Sequence, residues 1–208
     1  ATAGDDGTID VWNWREGIRT LHIEASDTLI YCVQFYADDT RLASCGRNEV
    51  IRLWDARTGK LESELPGAED AGRFEQLDIS DDSRWLAAAA SDGKRRVWNL
   101  ETGGLEGTLS PVGGQQLSSI AMFERDNQTW MVSGTLRQDS RSDCSVIIEV
   151  VGSDDQRTLP IHFDGIHSVA VDRTGQLALA GDSAGRISLV DINTAIRGRR
   201  WWYPETIR

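Results

Sequence analysis

The chain has 208 residues, 39% of them hydrophobic, and its 22 Lys+Arg against 33 Asp+Glu give a formal net charge of −11. That length and apolar share suffice for a real core, while the acidic balance argues against a protein whose first task is gripping a phosphate backbone. No apolar run approaches the roughly 18–20 residues needed to span a bilayer, no signal peptide opens the chain, and three cysteines without a CxxC pair exclude a secreted disulfide framework.

Taken in chain order, the first unit contains Ala3-Gly-Asp-Asp-Gly-Thr-Ile-Asp-Val-Trp12: small residues, a polar turn, then alternation up to a Trp. The chain opens on Ala1, and Ala1-Thr2-Ala3-Gly4 already reads like the middle of a strand, so a fragment or a processed product is expected. The second unit resolves fully. Leu29–Phe35 alternates, Ala37-Asp38-Asp39-Thr40 turns, Arg41–Cys45 is a small-residue strand, Gly46–Glu49 turns, Val50–Trp54 alternates, Ala56–Gly59 turns, and Lys60–Leu65 closes. Cys32 and Cys45 fall in these apolar strands and read as buried free thiols, which suits a reducing, cytoplasmic setting. The third unit repeats the pattern in Ala88-Ala-Ala-Ser-Asp-Gly-Lys-Arg-Arg-Val-Trp98, and the fifth in Ala180-Gly-Asp-Ser-Ala-Gly-Arg-Ile-Ser-Leu-Val190. In the fourth, a polar insertion between Gly134 and Ser145 lengthens one turn. The tryptophans at 12, 54 and 98 set steps of 42 and 44 residues, and Val190 lies 92 further on, about two more steps. Short strands between Asp/Asn/Gly turns, without helical periodicity, predict an all-β fold.

Leu53-Trp54-Asp55-x-x-Thr58-Gly59, Val97-Trp98-Asn99-x-x-Thr102-Gly103 and Val11-Trp12-Asn13 carry a specific likeness. The chain resembles the WD40-repeat β-propeller family, in which each repeat supplies the four strands of one blade. The resemblance implies repeat units at about 1–26, 27–66, 67–110, 111–160 and 161–203. These make a partial first blade and four complete ones, in part of a larger ring of about seven blades; a self-contained five-bladed ring is the alternative. It also implies a hydrogen-bonded set in each blade, formed by a His before the first strand, Ser/Thr on the second, Asp in the next turn and Trp on the third. The matching residues are Thr2, Asp6 and Trp12; Ser44, Asn48 and Trp54; Asp92 and Trp98, with Ala88 in the Ser place; Ser133; and His162, whose partners' places hold Ala180, Ala184 and Val190.

Signals for chemistry are sparse. Gly181-Asp182-Ser183-Ala184-Gly185 matches G-x-S-x-G, but it falls in a hairpin turn in phase with the repeat and no His follows it. His22, His162 and His167 have no Cys nearby to complete a zinc set. The Asp5-Asp6, Asp38-Asp39 and Asp81-Asp82 pairs lack EF-hand spacing and suit turns. No catalytic residue, metal or cofactor is expected. By similarity, Tyr31, Arg47, Arg73, Glu75, Ser91 and His167 fall near the face where partners of this family dock. Arg199 and Trp201 belong to the basic aromatic stretch Arg197–Tyr203, readable either as a solvated outer strand or as a docking element.

The expected function is a non-catalytic interaction, sensor or scaffold module of a multidomain signalling protein. Its partners would be proteins or other domains of its own chain, with no nucleic acid, membrane or small-molecule substrate. The alternative is a propeller enzyme with a substrate site in the central channel. It would need polar channel-lining strands, whereas Ile30–Phe35, Leu77-Asp78-Ile79 and Ser168–Val171 read as apolar and small, interrupted by Asp78 and Glu75.

Overall fold

Asp, Asn and Gly at the turns cut the chain into short antiparallel strands, because their side chains tie the backbone back on itself and glycine takes the left-handed conformation. The computed structural model describes residues 1–67, 72–110, 116–136, 144–153, 156–161 and 165–196. Blade one holds β1 (Thr2–Ala3), β2 (Thr8–Asn13) and β3 (Ile18–Glu24). Blade two holds β4 (Ile30–Tyr36), β5 (Arg41–Gly46), β6 (Val50–Asp55) and β7 (Leu61–Pro66). Blade three holds β8 (Phe74–Ile79), β9 (Trp85–Ala90), β10 (Arg95–Asn99) and β11 (Leu105–Leu109), and blade four β12 (Gln116–Arg125), β13 (Gln128–Leu136), β14 (Cys144–Val150) and β15 (Gln156–Ile161). Blade five shows β16 (Ile166–Val171), β17 (Leu177–Asp182) and β18 (Ile187–Asp191), followed by α1 (Ile192–Ile196). Every sheet is a meander in sequence order, as the repeat predicts. The outer strand expected at 197–203, the insertion at 137–143, and the residues His162, Arg199 and Trp201 lie outside the described residues.

The residue after each blade's Trp explains the Trp-Asp signature. Asp55 Oδ1 accepts from the Arg57 and Thr58 N–H groups and the Thr58 hydroxyl. Asn99 and Asn13 hold the same turn in their own blades. Gly59, Gly103 and Gly17 then end it at φ 72, 71 and 67, a conformation that favours glycine. The fifth unit has Ala195 in that place. Its chain continues as the short α1, which the alternation did not predict, with Asp191 accepting from the Thr194 N–H as an N-cap.

Between blades, one equivalent pair of positions recurs, on the strands of neighbouring sheets that carry the Trp position. Ile9 packs in the cluster of Trp54, Ile51 in that of Trp98, and Val146 in that of Val190. At the interface of blades three and four these two positions hold Arg95 and Glu149, both buried and joined by two hydrogen bonds. An ion pair there replaces an Ile–Trp contact. Trp54 and Trp98 are 5% and 1% exposed because each meets the preceding blade, whereas Trp12 on blade one is 42% exposed. The fifth member of the series, Ile187, is exposed with Leu179 and Leu189 beside it. The matching positions of blade three, Ala87 and Val97, are buried against blade four.

Candidate functional site

The first strands of the four later blades, β4, β8, β12 and β16, pack side by side. Each breaks register with its neighbour at one place: between Ile30 and Cys32, Phe74 and Gln76, Leu117 and Ser119, and Ile166 and Ser168. The skipped residues are Tyr31, Glu75, Ser118 and His167. A β-bulge leaves its extra residue without a ladder partner and re-aims its side chain. All four line one cavity of about 610 Å³, with Cys32, Arg73, Gln76, Ser91, Gln116, Leu117, Leu136 and Ser168 around them. Four copies of one backbone irregularity therefore build the mouth of the cavity.

Below the mouth, side chains stitch the inner strands together. Gln34 Nε2 donates to Asp78 Oδ1 at 2.6 Å, and the Met122 N–H donates to Asp78 Oδ2 at 2.7 Å. The Ile120 N–H reaches Gln76 Oε1, and the Ser118 hydroxyl donates to the Ile166 carbonyl. Burial pushes the Asp78 carboxyl up, against the hydrogen bonds it accepts from Met122 and Gln34. At the rim, Arg73 Nε lies 2.6 Å from Glu75 Oε1, and this bond raises the guanidinium further. The Ser91 N–H donates to the Arg73 carbonyl, fixing the loop that carries it. A Cβ at Gly165, where φ is 128, would meet Leu136 Cδ2 at 3.1 Å, so a bare backbone brings β16 and His167 to the cavity.

Five of the positions singled out from sequence, Tyr31, Arg73, Glu75, Ser91 and His167, meet at this cavity. Arg47 is exposed on the β5–β6 turn and does not line it. Ser118 was missed. Tyr31, Glu75 and His167 each stand 23 residues before Trp54, Trp98 and Val190, and the insertion of the fourth unit breaks that spacing for Ser118.

The blade-tying residues divide. Trp54 Nε1 donates to Ser44 Oγ at 2.9 Å and Trp12 Nε1 to Thr2 Oγ1 at 3.0 Å. Asn48 Nδ2 reaches Ser26 Oγ at 3.4 Å. Ser26 stands four residues ahead of β4, the offset of His162 ahead of β16, and sequence reasoning had not marked it. Asp6 is bound within its own turn by the N–H and hydroxyl of Thr8. Asp92 pairs with Arg96. Trp98 Nε1 and Ser133 Oγ are buried without a hydrogen-bond partner, since Ala88 and Glu149 stand where a Ser and a Trp would answer them. Among the described residues no group of three or more His, Cys, Asp or Glu stands close enough to hold a metal ion, and no helix is long and apolar enough to cross a membrane.

Residues 17–55 match the family model described as WD domain, G-beta repeat. Among curated proteins, the chain is 30% identical over 109 residues to the U3 small nucleolar RNA-associated protein 21 homolog of Schizosaccharomyces pombe, covering 52% of this chain and 12% of that protein. It is 26% identical over 137 residues to the DENN domain and WD repeat-containing protein SCD1 of Arabidopsis thaliana, covering 65% of this chain and 11% of that one. It is 28% identical over 101 residues to the target of rapamycin complex subunit LST8 of Saccharomyces cerevisiae, covering 49% and 33%. The matched stretches thus span between about a tenth and a third of these relatives.

Proposed function

We propose that this chain, a member of the WD40-repeat family, is a non-catalytic recognition module that binds a peptide segment of a partner protein at the four-bulge cavity. The observation that carries the reading is the convergence of Tyr31, Glu75, Ser118 and His167 on one mouth. An aromatic ring, a carboxylate, a hydroxyl and an imidazole on rigid strands, with Arg73 at the rim, offer an amphipathic side-chain anchor and hydrogen bonds to a backbone. Tyr and Arg carry a large share of the energy in such contacts. A scaffold role agrees with relatives that include a subunit of the target of rapamycin complex. Catalysis in the channel has less support, because both oxygens of Asp78 are already engaged.

The test is selection of peptides from a displayed random library on the intact chain, followed by titration against Tyr31→Ala/His167→Ala. Loss of an aromatic anchor of about 2 kcal/mol or more lowers affinity at least tenfold, with thermal stability unchanged because both side chains face the cavity. Selected peptides that bind wild type and variant equally well would refute the site. The exposed Ile187, Leu179 and Leu189 favour a ring that continues past blade five, since their counterparts in blade three are covered by the next blade.

A further inference from the structure

Two thiols face each other across the wall of this cavity. Cys32 on β4 and Cys45 on β5 are direct register partners in an antiparallel pair. Directly opposite residues point to the same side of a sheet and hold their Cα atoms about 4.5–5.5 Å apart. That spacing lies inside the range of about 4.4–6.8 Å that a disulfide spans. Both sulfurs turn toward the next blade, Cys32 Sγ lying 3.7 Å from the Leu77 carbonyl oxygen and Cys45 Sγ 3.8 Å from the Phe74 carbonyl oxygen of β8. Their surroundings differ in one respect. Cys32 lines the cavity, and Cys45 is fully enclosed behind it.

From this placement we infer that Cys32 and Cys45 form a thiol pair that a small disulfide, such as oxidised glutathione, converts reversibly into a cross-strand disulfide through the cavity.

The chemistry follows from access. The Cys32 thiolate attacks one sulfur of the small disulfide, forming a mixed disulfide and expelling one thiolate. Cys45 then gives its proton to that thiolate, and its sulfur attacks Cys32 Sγ and expels the second thiolate, which takes up the proton lost by Cys32. The two protein thiols are oxidised, the small disulfide is reduced to two thiols, and no other reactant is needed. The thiol environments agree with this order: a hydrogen bond from Cys45 lowers the Cys32 thiol against the effect of burial, while burial pushes the Cys45 thiol well up. Cys45 is thus the resolving partner. Cys144, buried on β14 and paired across the ladder with Ile161, is an internal reference.

The experiment equilibrates the full chain with oxidised and reduced glutathione in varied ratio, quenches with acid, and reads intact mass and peptide maps. Rising oxidised glutathione is expected to remove two hydrogens from the chain, to link the peptides carrying Cys32 and Cys45, and to be reversed by reduced glutathione. Cys45→Ser should stop the reaction at Cys32, leaving one bound glutathione, and Cys32→Ser should leave Cys45 unmodified. Circular dichroism of each variant establishes that it is folded before its reactivity is read. Failure of the wild-type chain to form the link, glutathione retained on Cys32 in the wild type, or equal reactivity of Cys144 would each overturn the assignment.

Discussion

Ala88 makes a sharp prediction, because blade two supplies the control. Ser44 and Ala88 hold the same place: each pairs across the ladder with an Arg, Arg52 or Arg96, two residues before the Trp. Trp54 Nε1 donates to Ser44 Oγ, whereas Trp98 Nε1 is buried without a partner, its ring edge-on to Phe74 at 5.7 Å. A buried donor left unmade costs about 1–3 kcal/mol, and a typical hydrogen bond returns about 1 kcal/mol net. Ala88→Ser should therefore stabilise the chain by about 1 kcal/mol, raising Tm by roughly 2–4 °C for a chain of this length. Ser44→Ala should create in blade two the condition found in blade three, and lose a similar amount or more. Urea unfolding followed by circular dichroism gives the stabilities, and the indole N–H resonances of Trp54 and Trp98 show which bond was gained or lost. An Ala88→Ser variant no more stable than wild type, with its Trp98 indole resonance unmoved, would show that the register match does not carry over between blades.

The Arg95–Glu149 pair predicts an asymmetry between single and double replacement. Arg95→Ala or Glu149→Ala leaves a buried charge unanswered and should cost about 3–5 kcal/mol, while Arg95→Ile/Glu149→Trp, which restores the Ile–Trp contact of the other interfaces, should recover most of it; chemical denaturation of the three variants checks this, and an additive loss in the double variant would refute it. The exposed face of blade five predicts self-association of the isolated chain, relieved by Leu179→Lys/Leu189→Lys. Sedimentation velocity decides, a compact wild-type monomer with one sharp unfolding transition being the contrary result.

The architecture was legible because each blade is a local meander: Leu29–Phe35, Arg41–Cys45, Val50–Trp54 and Lys60–Leu65 read from alternation and turns as the strands that form. The orphaned Trp98 was half legible, from Ala88 in the Ser place. The bulges were not, since an extra residue in a strand leaves the period-two pattern nearly unchanged, and only the ladder shows that Tyr31 has no opposite number. Arg95 and Glu149 stayed hidden for a related reason. In sequence each is a charged residue on an alternating strand, and their 54-residue separation gives no sign that one answers the other. The short α1 follows from Ala195 in the glycine place, a substitution visible in the sequence whose effect needed the backbone.

The bulges also divide the labour of the molecule. A residue that no neighbouring strand opposes contributes little to the ladder, so Tyr31, Glu75 and His167 can be exchanged without disturbing the faces on which the blades stack. On the function proposed above, recognition is written as a short code around the mouth, one letter per blade, on a frame that does not read it. A blade transplanted from another position in the chain would bring its letter with it, and the vocabulary of the cavity would change while the fold stayed the same.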